Sequence, residues 1–207
     1  MMSADLFGCA IFHRASATEA AMNALIKSIE AEYLRYKALA ESALKQVPEP
    51  LLSRAGPANG NSLAVISWHI SGNLKSRFTD FLTSDGEKPW RDREEEFAAR
   101  AVSRTELMDK WADGWQALAG ALHALTDDDL TRTVHIRGQP MLVHEALHRS
   151  LAHASYHVGQ IVYLAHAICG DDWKYLSIAP GGSAAYNANP LYEKGAAHAG
   201  ALAGERT

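Results

Sequence analysis

Cysteine is nearly absent, with Cys9 and Cys169 the only two in 207 residues. A disulfide framework and a zinc site built from cysteine clusters are both excluded. Excess positive charge is missing too, since 20 Lys and Arg stand against 24 Asp and Glu for a net charge of −4. Nothing electrostatic favours DNA, RNA or an anionic membrane surface, and neither nucleic acid nor membrane is an expected partner. The apolar run Leu6 to Phe12 has no basic segment before it and is too short to span a bilayer, so the expected location is cytoplasmic. There is no internal repeat. What is present is ordinary for a globular protein, 47% hydrophobic and 21% charged, with length for one domain and a substantial core.

Glycine and proline are absent from 16–46, a stretch rich in Ala, Leu, Glu and Lys, which predicts a first long helix capped by Ser16 or Thr18. Pro48, Pro50, Gly56, Pro57 and Gly60 then mark a loop. Asn61 or Ser62 is placed to cap a second helix, in which Leu63, Ile66, Ile70, Leu74, Phe78, Phe81 and Leu82 recur at helical spacing up to about Thr83. The segment 84–96 mixes both charges around Trp90 and reads as an ordered loop. A third helix is predicted from about Ser103, with Glu106 as its capping-box partner, through Leu107, Trp111, Trp115, Leu118, Leu122 and Leu125. Alternation over Thr131 to Ile136 and the turn-like Arg137-Gly138-Gln139-Pro140 leave room for a short β-hairpin before the last long helix. The fold class is therefore all-α, with four long helices in series. A leader at 1–15, a helical domain at 16–190 and a low-complexity, mobile tail at 191–207 are the expected divisions.

The last helix carries the chemistry. Leu147, Leu151, Ala154, Val158, Ile161, Ala165 and Ile168 form its apolar stripe, and His153 and His157 sit on the edge of that stripe. Four residues amount to about 400° of rotation, so both imidazoles leave one side of the helix, a turn apart. Two histidines cannot complete a coordination shell, and a third ligand must come from another element. His69, in the middle of the second helix beside Ile66 and Ile70, is the candidate. His144 and His148 share the spacing but point roughly the opposite way, and the remaining histidines read as surface or turn residues.

Asn73, Arg77 and Asp80 follow His69 at four, eight and eleven residues and are candidates to orient water or bind an anion, although pairing of Arg77 with Asp80 is the favoured reading. Gln160, one turn beyond His157, is a candidate ligand-binding group. Gly159, inside a helix, suggests close approach by a neighbouring element. Tyr156 and Tyr163 point away from the histidine side and suit a dimer contact. Ser177, Ser183, Tyr186 and Asn187 are candidates to cap the pocket, and turn formation explains them as well. No side chain can be assigned as a catalytic general base.

Three strings, SWHISGNLKSRFTDFLTSDGEKPWRDREEEF, HRSLAHASYHVGQIVYLAH and DWKYLSIAPGGSAAYN, resemble a branch of the DinB-like superfamily catalogued as a domain of unknown function. The resemblance runs from about Tyr33 to Asn187. It implies an up-down-down-up four-helix bundle, commonly a homodimer, with a divalent metal on three histidines that match His69, His153 and His157. Relatives in the superfamily include thiol transferases and isomerases that use a small thiol, and proteins labelled hydrolases. The expectation is a metalloenzyme acting on a small molecule, activating water or a thiol, with zinc or nickel first and iron or manganese next as the ion. The alternative is a non-catalytic, metal-binding or stress-related dimeric bundle.

Overall fold

The structure, a computed structural model, describes residues 23–190. The leader, Ser16, Thr18 and the tail lie outside the described residues. The order of elements is α1 (Ala24–Gln46), α2 (Leu63–Phe78), the single turn α3 (Arg93–Glu96), α4 (Arg104–Ala124), β1 (Thr133–Ile136), β2 (Gln139–Leu142), α5 (Val143–Cys169) and α6 (Ser183–Ala188). The protein is mostly helical, with one small antiparallel hairpin. Among the described residues, no helix is long and apolar enough to cross a membrane.

Helix α2 organises the packing. It lies against α4 along one side and α5 along another, while α1 packs on α5 and touches α4. Small and apolar residues on every side of α2, among them Ala64, Ile66, Ser67, Ile70, Ser71 and Leu74, are buried accordingly. A helix without a polar face belongs inside. The approach of α2 to α4 depends on Gly114, where an added Cβ would stand 2.6 Å from the Cα and carbonyl oxygen of Ser71. Gly159 plays no such part, because nothing lies within 4 Å of a Cβ built there. The close approach expected at Gly159 occurs at Gly114 instead.

The ends of the helices follow local chemistry. Ser62 Oγ accepts the Val65 amide at 3.2 Å, and Ser103 and Glu106 form the reciprocal capping box at the start of α4. The first amides of α1 are met from a distance in sequence, with Leu25 and Ile26 donating to the Asp127 carboxylate at 3.1 and 3.0 Å. Helix α2 stops at Phe78, short of the expected Thr83. Thr79 leaves the helical conformation and Asp80 adopts φ 48°, a left-handed state that aspartate tolerates. Phe81 remains in the core from the turn that follows.

The hairpin turn is shorter than the sequence suggests. Arg137 (φ 56°) and Gly138 (φ 72°) are its two central residues, while Gln139 and Pro140 belong to β2. Two positive φ values suit the twist of a two-residue hairpin. Pro140, opposite His135, is tolerated because each strand of a two-stranded ribbon has a free edge.

Candidate metal centre

His69 on α2 and His153 and His157 on α5 converge. Their ring centroids are 4.6 to 5.1 Å apart, and one nitrogen from each falls within 4.8 Å of the others. Among the described residues this is the one group of three His, Cys, Asp or Glu side chains placed to hold a metal ion. The neighbouring His144 and His148 do not join it. His144 Nδ1 hydrogen-bonds the Leu130 carbonyl at 2.9 Å instead. His166 stacks on Trp173, and His123 meets Glu30 at the surface.

Two of the three imidazoles are oriented from behind. His69 is 4% exposed, and its Nδ1 lies 2.9 Å from Glu96 Oε2. Burial pushes the Glu96 carboxyl up, but hydrogen bonds from His69 and Arg91, together with the charge of Arg91, more than reverse this and hold it below the ordinary value. An ionised carboxylate only accepts, so His69 Nδ1 donates. A neutral ring then presents the Nε2 lone pair to the other histidines. Phe97 lies against the same ring at 4.5 Å. On α5, His157 Nδ1 donates to Gln160 Oε1 at 2.7 Å, which likewise leaves Nε2 free. His153 is lowered to about 4, chiefly by burial and then by His157 and His69, and His157 is lowered by burial. Both shifts favour the neutral ring, the form in which imidazole is a ligand.

The three imidazoles lie close enough together that they could hold a metal ion. Nitrogens at bonding distance from one tetrahedral ion stand about 3.3 Å apart. His69 Nε2 and His153 Nε2 are 3.2 Å apart. Nitrogen ligands of this kind suit Zn, Ni, Fe and Cu alike.

Glu96 reaches His69 because of two local features absent from the sequence reading. Asp92 caps α3 by accepting the Glu95 amide at 2.9 Å, and this single turn directs Glu96 inward. Gly72 leaves the space, since a Cβ there would stand 2.1 Å from Glu96 Oε1. Arg91 then grips the carboxylate with two bonds, Nε to Oε1 at 2.8 Å and a terminal nitrogen to Oε2 at 2.9 Å. The loop before α3 is held by Ser76, whose hydroxyl donates to the Gly86 carbonyl at 2.7 Å and accepts the Lys88 amide at 3.2 Å. Trp90 is half exposed, so these polar bonds, and not the tryptophan, order the segment.

A cleft of about 390 Å³ opens on His69 and His153 and is lined also by Asn73 and Arg77. Arg77 is not paired with Asp80. It bonds the Gly86 carbonyl and, at 3.1 Å, Glu87. Gln160 holds His157 and is not among the residues lining the cleft. Tyr156 and Tyr163 are exposed, and the Tyr156 ring also touches that of His157 at 5.0 Å. Ser177, Ser183, Tyr186 and Asn187 lie outside the cleft lining.

Fold and site together define a mostly helical protein with a three-histidine cluster that can hold a metal ion. Residues 20–182 match the family described as "Protein of unknown function (DUF1572)", and the chain belongs to that family. No curated protein matches it, and no solved structure does.

Proposed function

We propose that this protein is a metalloenzyme built as a DinB-like, up-down-down-up four-helix bundle, with His69, His153 and His157 holding one divalent ion. The observation that carries the reading is that three imidazoles present nitrogens within 4.8 Å of one another, two of them on an open cleft. A fourth protein ligand would close such a shell, whereas three imidazoles beside a cleft leave room for substrate. When bound, the ion acidifies water or a thiol and polarises a carbonyl. The residues of the chain orient and neutralise. Glu96 and Gln160 hold the two ring Nδ1 protons, Arg91 keeps Glu96 ionised, and Asn73 and Arg77 face the substrate space. Zinc and nickel are the preferred ions, hydrolysis and thiol transfer the reaction classes, and a homodimer the assembly.

Elemental analysis of protein purified without a histidine tag tests the site. One divalent ion per chain is expected in the wild type and a large loss in His153→Ala; equal metal content in both would refute it. Turnover of an ester or amide without added thiol then selects hydrolysis, and strict thiol dependence selects transfer.

A further inference from the structure

The cleft is strongly basic in a chain whose net charge is −4. Among the described residues five arginines, Arg77, Arg91, Arg93, Arg137 and Arg149, line it, and no aspartate or glutamate does. We propose that the cleft takes a small molecule bearing a carboxylate or a phosphate, with the anionic oxygens held by Arg77, Arg137 and Arg149 and the other end facing His69 and His153. The proposal deepens the metalloenzyme reading, on which the role of the far end of the molecule rests.

The carboxylates nearby do not balance these charges. Glu87 Oε2 alone meets three guanidinium groups, those of Arg77 and Arg137 at 3.1 Å and that of Arg91 at 3.5 Å. Glu96 is already shared between Arg91 and His69. Arg93 pairs with Glu94 at the exposed rim. Arg149 has no hydrogen-bonding or ion-pair partner among the described residues, so its charge stands uncompensated at the cleft.

The fold holds Arg137 in place through a dedicated clamp. The Asp85 carboxylate accepts the amides of Arg137 at 2.8 Å and Gly138 at 2.7 Å, and the Gly86 amide donates to the His135 carbonyl at 2.8 Å. The hairpin tip is thereby tied to the loop that carries Glu87 and Arg91. Guanidinium forks match the planar oxygens of carboxylate and phosphate, and like charges crowded in a cleft focus a field that draws an anion in. The volume suits a metabolite and not a polymer.

Calorimetric titration of the full chain, stripped with chelator so that no ion competes for the anion, is the test. The probes are inorganic phosphate, succinate and the uncharged succinamide. Saturable binding of phosphate, succinate or both is expected, with none for succinamide, and the anion that binds identifies the class. Arg149→Gln, at an exposed and unpaired position, should weaken that binding about tenfold or more, as should Arg77→Gln where its melting curve shows it folded. Absence of saturable binding by either anion, or unchanged affinity in Arg149→Gln, overturns the proposal. Anion affinity is read on the stripped protein and metal content on the untreated protein, so failure of one reading is distinguishable from failure of the other.

Discussion

Replacing Glu96 by glutamine tests how the histidine cluster is held. The change is nearly isosteric but removes the charge that Arg91 and His69 share. Arg91 is 2% exposed and its other carboxylate neighbour, Glu87, is 3.5 Å away, so the variant leaves a guanidinium buried and poorly balanced. Breaking a buried pair from one side costs about 3 kcal/mol at the low end of such measurements. For a chain of this size that corresponds to a fall in Tm of about 6–12 °C. Loss of the carboxylate behind a ligating histidine should also weaken metal binding about 10- to 100-fold. Thermal melting and competitive metal titration read the two effects separately. Adding Arg91→Met to Glu96→Gln removes the stranded charge and should restore part of the stability without restoring metal affinity. Glu95→Gln, at an exposed neighbour paired with Arg100, is the control and should do little to either. Equal melting and equal metal affinity in Glu96→Gln and Glu95→Gln would refute the reasoning.

Other substitutions and conditions probe the same architecture. Gly72→Ala places a Cβ on the Glu96 carboxylate and should cost about 1–3 kcal/mol in chemical denaturation, with a parallel loss of metal affinity. Gly114→Ala, which drives a methyl group into the backbone of Ser71, should cost a similar amount without touching the histidines, whereas Gly159→Ala should stabilise by up to about 1 kcal/mol; melting curves distinguish them. The metal-free protein should lose stability as pH falls from 6.5 to about 4, because His153 resists protonation in the folded chain and accepts it readily when unfolded. A second loss should follow at lower pH, as Glu96 and Glu87, both held below the ordinary carboxylate value, and Asp85, held at about 2, take up protons. Urea unfolding across this range checks both limbs.

The histidine pair on α5 was legible because helical periodicity alone sets which side chains share a face. His69 was legible for a related reason, as a mid-helix histidine among apolar neighbours on a packing helix. Glu96 was hidden within the run Glu94-Glu95-Glu96, where spacing does not say which carboxylate turns inward; the Asp92 cap and the room above Gly72 decide that. Arg77 was misread because a neighbour three residues on is the obvious partner, yet the helix ends before Asp80 and the loop brings Glu87 closer. Gly159 was misread from helix propensity, which registers the cost of a glycine but not its neighbours. The convergence of arginines from α2, the loop, the hairpin and α5 is a product of tertiary packing and has no linear signature.

X-ray absorption at the zinc edge of zinc-reconstituted protein tests the central claim most directly. The account predicts three imidazole ligands at about 2.0–2.1 Å, completed by non-protein oxygen, and a signal that loses imidazole contribution in His69→Ala. A sulfur ligand, or the same imidazole count in wild type and His69→Ala, would contradict it.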